Sequence, residues 1–247
     1  GGGGHSREIM SRLGENGKLF AFDQDLDALK NAIDDERFTL INENFRFIKR
    51  FLRFHGIKQV DGILADLGVS SHQFDVAERG FSTRFDAELD MRMNQKGDIS
   101  AYHVVNEYDE QEISRVLFNY GELKNARAMA NVIVTARKDK EIKNSEQLKQ
   151  VLAKFLPGHK SNKILAQIYQ AIRIEVNQEM EVLKEFLEQS LEILKPGGRL
   201  SVISYHSLED RLVKRFVKNG MFEGEPERDF FGNFEVPFNT IEKLIVP

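Results

Sequence analysis

Short apolar segments alternate with amphipathic segments along the first third of the chain. The apolar runs predict buried strands at residues 18–22, 38–41 and 60–65. Between them, apolar residues recur at helical spacing, which predicts helices at residues 6–13, 26–33 and 45–54. Strands that alternate with helices indicate an α/β fold with a parallel sheet.

The pattern changes to purely helical spacing between residues 99 and 172. It predicts helices at 109–118, 122–138 and 144–155, followed by one long helix at 161–194. Asp109 with Glu112, and Asn144 with Gln147, have the spacing of a helix capping box.

Alternation resumes near the end of the chain. Strands are predicted at residues 199–205 and 240–246, with a helix at 208–217 between them. We therefore expect one α/β domain formed by residues 1–98 and 173–247. An all-helical insert over residues 99–172 interrupts it.

Length and composition limit the class of protein. The chain has 247 residues, which suits one large domain or one domain with an insert. It contains 35 basic and 39 acidic residues, which excludes a polycation but not a local basic patch. With no cysteine, disulfides and thiolate metal sites are excluded, and we predict no metal site. No long apolar run and no signal peptide are visible, so we expect a cytoplasmic protein that has no membrane partner.

Basic residues are concentrated in the predicted helical insert. Residues 124–163 contain ten Lys or Arg but only three Asp or Glu. Because phosphates dominate the affinity for nucleic acids, this charge favours an RNA-binding surface, although most such runs are simply solvated helix faces. The predicted RNA-binding residues lie in the insert and in a second helical cluster: Lys138, Lys140, Lys143, Arg211, Lys214 and Arg215.

Glycines and an acidic residue near the start have the spacing of a nucleoside site. The four opening glycines and His5 precede the first predicted helix, and Asp23 follows Gly4 by 19 residues. In doubly wound α/β folds, such a glycine turn admits a ligand to the backbone, and an acidic residue at about this distance binds the ribose. The combination indicates a nucleoside cofactor without specifying which one. Read alone, the glycines fit a linker equally well.

Two further residues follow predicted strands, where ligands bind in open α/β sheets. Phe45 could stack on an adenine ring, or it could pack in the core. Asp66 begins a loop of glycine and serine residues that includes Ser70 and leaves room for a flat substrate. An ordinary turn is the alternative interpretation of this loop.

His206 lies close to the end of the predicted strand at 199–205. It could contact a base or a phosphate, or it could be a structural residue at the start of a helix. Ser207 and Asp210 have capping-box spacing, so we interpret Ser207 as a helix cap rather than as a catalytic residue. No glycine-flanked nucleophile elbow surrounds Ser207, so no hydrolase triad is predicted.

The glycine turn, Asp23, Asp66, Ser70 and His206 belong to eight motifs that occur in a fixed order. The motifs are GGGGHS at 1–6, AFDQD at 21–25, DLGVSSHQ at 66–73, ERGFS at 78–82, LDMRM at 89–93, QAIRIEVN at 170–177, PGGRL at 196–200 and SYHSLEDR at 204–211. As an ordered set they resemble the bacterial small-subunit ribosomal RNA cytosine-N4 methyltransferases. Residues 86–88 depart from that family's usual pattern, as do His72 and Tyr169, where proline and phenylalanine are frequent.

The resemblance implies a Rossmann-like class I methyltransferase sheet with an inserted helical subdomain. We expect the first and last strands of that sheet to be missing from this chain, which appears cut at both ends. It also implies S-adenosylmethionine as the cofactor. The implied cofactor-binding residues are Gly3, Gly4, His5, Asp23, Phe45, Asp66 and Gln73.

The same resemblance implies N4-methylation of a cytosine in the decoding region of small-subunit ribosomal RNA. The expected partner is ribosomal RNA or the small ribosomal subunit, and a homodimer is left open. Other amino-methyltransferases acting on DNA or RNA remain alternatives, as do a nicotinamide-dependent oxidoreductase and a non-catalytic RNA-binding relative.

The predicted catalytic residues are Asp66, Ser70 and His206. A cytosine amine is a poor nucleophile because its lone pair is delocalised into the ring. An acceptor that binds the amine hydrogens could draw this nitrogen toward a tetrahedral geometry, while the enzyme aligns it with the methyl group. Asp66, or a backbone carbonyl of the loop after it, is the predicted acceptor.

Overall fold

The computed structural model describes residues 2–232, 234, 236–239 and 241. Contacts divide the chain into a first unit, residues 1–43 and 69–179, and a second unit, residues 44–68 and 180–247. Each unit contains a pair of parallel strands, as predicted for an α/β fold. Among the helices of the described residues, none combines the length and the apolar character needed to cross a membrane.

The first unit begins with helix α1 (Gly4–Arg12) and strands β1 (Leu19–Phe22) and β2 (Phe38–Ile41). The two strands pair in parallel along their whole length. The helix predicted between them at residues 26–33 is a 3₁₀ helix over Leu26–Asn31. The Asp25 carboxylate accepts a hydrogen bond from the Asp27 backbone N–H and so tightens the start of this turn.

Beyond β2, the regular structure of the first unit is helical, and residues 99–172 form helices as their spacing predicts. Its helices are α3 (Ser71–Asp75), α4 (Ala101–Asn106), α5 (Glu110–Asn119), α6 (Ala126–Asp139), α7 (Ser145–Val151) and α8 (Ser161–Asn177). Helices α4 to α8 share one apolar core, to which Phe81, Leu89 and Met91 also contribute. The insert thus packs on the segment that precedes it. Its boundaries at residues 99 and 172 stay a prediction.

The N-termini of two helices in the insert test the predicted capping boxes. Asp109 and Glu112 form the predicted box, each side chain accepting a hydrogen bond from the other residue's backbone N–H at 2.8 Å. Asn144 accepts from the Gln147 backbone N–H, but the Gln147 side chain accepts from Lys143 instead. The second box is therefore only half formed.

Two predicted helices of the insert are longer than the observed ones. The helix predicted from residue 122 begins at Ala126, because Glu122 has a left-handed backbone with φ of 52°. The helix predicted over residues 144–155 ends at Val151, and a separate 3₁₀ turn over Ala153–Phe155 follows.

The long helix predicted over residues 161–194 is wrong. The chain breaks at Gln178, which has a left-handed backbone with φ of 51° and ends α8. The preceding Asn177 explains the break, because its side chain accepts from the Met93 N–H at 2.7 Å and donates to the Met91 carbonyl at 2.8 Å. These bonds join the end of α8 to residues 91–93.

The second unit contains one parallel strand pair and three α-helices within the described residues. These elements are α2 (Ile48–Phe54), β3 (Val60–Asp66), α9 (Glu179–Ile193), whose first residue belongs to the first unit, β4 (Leu194–Ile203) and α10 (Ser207–Asn219). A 3₁₀ turn over Phe45–Phe47 precedes α2. The strand predicted at 240–246 lies outside the described residues except for residue 241.

Candidate active site

The glycine turn stands at the start of α1, as predicted. Gly3 has a left-handed backbone with φ of 73°, and a Cβ atom there would lie 3.4 Å from both the Asn31 carbonyl and the Arg7 guanidinium. Gly4 and His5 form the exposed beginning of the helix. No side chain caps this start, and its first turn carries no acidic residue. The N-terminal backbone N–H groups therefore favour a negatively charged ligand group.

Asp23 lies directly beyond the carboxyl end of β1. Its carboxylate accepts a hydrogen bond of 2.9 Å from the Asp25 N–H, while its own N–H donates to the Ile41 carbonyl at 3.1 Å. The Asn42 side chain donates to the Asp23 carbonyl at 2.9 Å. These bonds fix the half-buried Asp23 at the ends of both strands of the pair.

Ser70 and Gln73 form a capping box at the start of α3. The Ser70 hydroxyl accepts from the Gln73 N–H at 3.3 Å, and the Gln73 side-chain oxygen accepts from the Ser70 N–H at 3.0 Å. The Gln73 side-chain NH₂ donates to the Asp25 carboxylate at 2.7 Å. Both predicted site residues therefore make structural contacts, and Gln73 links α3 to the loop that carries Asp23.

Arg79 completes this network, and our sequence analysis did not single it out. Its side chain is buried and forms an ion pair of 2.9 Å with Asp25. It also donates to the carbonyls of Arg92 at 3.0 Å and Met93 at 3.2 Å. The signal in the sequence was the single arginine of the ERGFS motif, which supplies the positive charge that a buried carboxylate needs.

Asp66 ends β3 in the second unit, as predicted, and its side chain is exposed. The Tyr205 hydroxyl donates a hydrogen bond of 2.9 Å to its carboxylate. This hydrogen bond raises the pKa of Tyr205 above its usual value, with burial and the charge of Asp66 as further causes. Tyr205 belongs to the SYHSLEDR motif, yet nothing in the pattern of residues indicated its pairing with Asp66.

His206 is the N-cap residue of α10. Its Nδ1 atom accepts from the Glu209 N–H at 3.4 Å, which leaves the proton on Nε2, 3.3 Å from the buried Glu209 carboxylate. The interpretation of Ser207 as the cap is wrong, because the helix starts at Ser207 and His206 occupies the capping position. A histidine ring in this position accepts the hydrogen bond as a serine hydroxyl would.

Phe45 stands at the start of the turn before α2. Its half-buried ring meets the ring of Phe186 edge to face, with 5.3 Å between the ring centres. Beside it, Arg46 forms a two-point ion pair with Glu185. The hydrogen bonds from Arg46 lower the pKa of Glu185. Both interpretations of Phe45 stay open, because its ring packs against Phe186 and is only half-buried.

The three predicted RNA-binding lysines of the insert are exposed at one end of α6. Lys138 lies in its last turn, Lys140 is its C-cap residue, and Lys143 follows with a loose ion pair of 3.4 Å to Glu141. Such side chains keep their charge available to a polyanion.

The second basic cluster follows one stripe of α10, as its spacing predicts. Arg211 is exposed, Lys214 pairs with Asp210 at 2.8 Å, and Arg215 donates to the Gly224 carbonyl. This cluster therefore already has contacts within the protein.

The predicted site residues are shared between the two units. The first unit contains Gly3, Gly4, His5, Asp23, Ser70 and Gln73, and the second contains Phe45, Asp66 and His206. Hydrogen bonds connect Ser70, Gln73 and the Asp23 loop within the first unit. In the second unit, the ends of β3 and β4 bring Asp66 next to Tyr205.

Comparison with known families decides the class of protein. Residues 1–229 match the MraW methylase family. The chain belongs to this family. Membership in the MraW methylase family confirms the resemblance of the eight motifs and identifies the protein as a methyltransferase with a Rossmann-like fold.

Curated relatives support the same assignment. A protein of Flavobacterium johnsoniae is 80% identical over the whole chain, which covers 82% of that relative. Proteins of Bacteroides thetaiotaomicron and Cytophaga hutchinsonii are 54% and 53% identical, again over the whole chain and with 82% and 83% of the relative covered. All three are named ribosomal RNA small subunit methyltransferase H. Membership in the MraW methylase family excludes the alternative that this protein is a nicotinamide-dependent oxidoreductase.

Proposed function

We propose that this protein transfers a methyl group from S-adenosylmethionine to the N4 amine of a cytosine in the decoding region of small-subunit ribosomal RNA. The observation that carries the proposal is the similarity, along the full chain, to relatives named for methylation of small-subunit ribosomal RNA. Each unit also contains residues with chemistry that supports the proposal.

The residues of the first unit fit the cofactor. Gly3 leaves a space that a Cβ atom would fill, and the uncapped start of α1 offers backbone N–H groups to a carboxylate such as that of the methionine part. The Asp23 carboxylate can accept hydrogen bonds from both ribose hydroxyls. Gln73 acts on this site by holding Asp25 and the loop that begins with Asp23.

In the second unit, Phe45 is the proposed contact of the adenine ring. Its ring is half-buried and packs edge to face with that of Phe186, and a half-buried aromatic ring suits stacking on a flat heterocycle. Asp66 is proposed to contribute to cofactor binding and also to act on the substrate.

Bound S-adenosylmethionine supplies a methyl group on a positively charged sulfur, which is already activated for displacement. The protein's task is then to align and polarise the amine. Asp66 is proposed to accept one amine hydrogen, which concentrates the nitrogen lone pair in the direction of attack. The same carboxylate, or water beside it, then receives the proton that the amine loses.

Ser70 and His206 remain proposed catalytic residues with narrower roles. The Ser70 hydroxyl accepts a capping bond from Gln73 but keeps its own hydrogen to donate to a substrate oxygen. His206 uses Nδ1 in the cap of α10 and holds its proton on Nε2. Because Nε2 is buried beside the Glu209 carboxylate, His206 is proposed to act by positioning Glu209, which also accepts from the Tyr205 N–H.

The basic surfaces are proposed to bind the RNA backbone. Lys138, Lys140 and Lys143 are exposed and can bind phosphates directly. On α10, Arg211, Lys214 and Arg215 are also proposed to bind phosphates.

A methyl-transfer assay tests the proposal. Small subunits from cells that lack the activity are incubated with the protein and S-adenosylmethionine carrying a radioactive methyl group, beside an arm with naked ribosomal RNA. We expect label in the RNA of the subunits with the unchanged protein and a loss of at least a hundredfold with Asp66→Ala. Absence of label in both substrates with the unchanged protein would refute the proposed function.

A further inference from the structure

Tyr205 is an exposed aromatic residue that is nevertheless held in place at three points. Its hydroxyl donates to the Asp66 carboxylate at 2.9 Å, and its backbone N–H donates to the Glu209 carboxylate at 2.9 Å. Its ring lies against Gly68, where a Cβ atom would come within 3.3 Å of the ring. Even so, 66% of the residue is exposed.

The restraints on Tyr205 come from residues that are themselves fixed. Glu209 is buried in the first turn of α10, where its backbone and side chain both engage His206. Gly68 has a left-handed backbone with φ of 78°, which lets the loop after β3 pass close under the ring. The tyrosine is therefore oriented by the local structure without being part of the core.

A flat ring that is rigid and exposed is suited to stacking on a nucleobase. Enzymes that modify a base take it out of its stack and hold it against aromatic or apolar side chains, while hydrogen bonds read its polar edge. Tyr205 offers the aromatic face, and the carboxylate next to it offers an acceptor for an exocyclic amine. Both features occur together at the ends of two paired strands, β3 and β4.

We propose that Tyr205 is a substrate-binding residue whose ring stacks on the target cytosine and whose hydroxyl orients Asp66 toward the amine. This inference rests on the proposed function and adds the residue that binds the base. Stacking of a base on an aromatic side chain changes affinity by about tenfold to a hundredfold when the ring is removed.

The ring and the hydroxyl can be separated by substitution. Tyr205→Phe keeps the stacking face and removes the hydrogen bond to Asp66, so we expect KM for small subunits to stay within about twofold and kcat to fall several-fold. Tyr205→Leu removes both the ring and the hydrogen bond, so kcat should fall as in Tyr205→Phe and KM should also rise about tenfold or more. Tyr205→Trp keeps a larger ring and should retain the KM of the unchanged protein.

Phe54 provides a matched control, because it is also an exposed aromatic residue of the second unit and lies on α2. Phe54→Leu should leave kcat and KM unchanged. The melting temperature and the Kd for S-adenosylmethionine are measured for every variant. A purely structural role of Tyr205 would lower the melting temperature of the Phe, Leu and Trp variants without separating their KM values.

The outcomes distinguish the inference from the function on which it rests. Transfer by the unchanged protein with a raised KM only in Tyr205→Leu supports the inference. Transfer by the unchanged protein with equal KM values in Tyr205→Leu and Phe54→Leu overturns the inference alone. If Tyr205→Leu fails to fold, Tyr205→Trp gives the test, because it keeps an aromatic ring. A raised KM in Tyr205→Trp would then overturn the inference. No transfer to cytosine by the unchanged protein overturns both.

Discussion

The side-chain NH₂ of Gln73 donates a buried hydrogen bond of 2.7 Å to the carboxylate of Asp25. Through this bond the start of α3 is tied to the loop after β1, in which Asp25 in turn donates its N–H to Asp23. Arg79 balances the charge of Asp25 from the other side. One buried carboxylate thus connects three of the eight ordered motifs and sets the position of a proposed ribose-binding residue.

Replacement of Gln73 tests this connection. Gln73→Leu removes the donor to Asp25, which keeps its ion pair with Arg79, and the acceptor for the half-buried Ser70 N–H. We expect the free energy of unfolding to fall by about 1–3 kcal/mol, because a hydrogen bond to a buried charged group is lost. Urea unfolding measures this change, and calorimetry should show weaker binding of S-adenosylmethionine.

Gln147→Leu is the matched control for that experiment. Gln147 also lies in the first turn of a helix and accepts a backbone hydrogen bond, but it does so at the surface of α7. Its replacement should cost less stability and leave cofactor affinity unchanged. Equal effects of the two substitutions on cofactor affinity would contradict the role of Gln73.

Asp23→Asn separates cofactor binding from folding. The amide keeps an oxygen for the bond from the Asp25 N–H, but it loses the charge that strengthens bonds from the ribose hydroxyls. We expect the Kd for S-adenosylmethionine to rise about tenfold to a hundredfold, with little change in the melting temperature of the cofactor-free protein. Asp34→Asn, at an exposed position of the same unit, should change neither value. An unchanged Kd in Asp23→Asn would remove this residue from the cofactor site.

Charge reversal in the insert tests the proposed RNA surface. The triple change of Lys138, Lys140 and Lys143 to Glu should weaken RNA binding and reduce the slope of log K against log salt by about two, because phosphate contacts are lost. Cofactor affinity should stay the same.

The control is the triple change of Lys18, Lys58 and Lys96 to Glu, which are exposed lysines outside the insert. It alters net charge equally, so it reports the effect of overall charge alone. Equal losses of RNA affinity in the two triple variants would show that the insert has no special part in binding.

The pH dependence of Tyr205 follows from its hydrogen bond to Asp66. Because this bond raises the pKa of Tyr205 above the ordinary value near 10, the hydroxyl remains protonated through neutral and moderately alkaline pH. The stabilising contact is therefore present below pH 10 and is lost only as the pH rises through the raised pKa.

Ultraviolet titration can check this direction. The difference in phenolate absorbance between the unchanged protein and Tyr205→Phe should titrate above pH 10, and Asp66→Asn should shift that titration downward. A phenol that ionises below pH 10 in the unchanged protein would contradict the pairing of the two side chains.

Sequence patterns predicted the elements that obey simple periodicity. The strands β1, β2 and β3 appear within one residue of their predicted ends, because short apolar runs between turn residues have few alternative structures. The predicted long helix failed at Gln178 because its break depends on Asn177 bonding to Met91 and Met93, a contact between distant parts of the chain. Local spacing carries no information about such contacts.

In the candidate site, too, the sequence predicted some residues and not others. Asp23, Phe45 and Asp66 were found because they follow strands, and the resemblance carried by the ordered motifs added Gly3 and Gln73. Arg79 and Tyr205 were missed because their importance lies in the partners they reach, Asp25 and Asp66, which are far away in sequence. The cap by His206 was missed because serine is the residue that helix statistics favour at this position.

The chemical position of the transferred methyl group tests the central claim most directly. Small subunits methylated by this protein with a deuterated methyl donor are digested to nucleosides and separated by chromatography and tandem mass spectrometry. We predict that the label appears as N4-methylcytidine and that it disappears with Asp66→Ala. Label on a ring carbon, on a ribose oxygen or on another base would contradict the account.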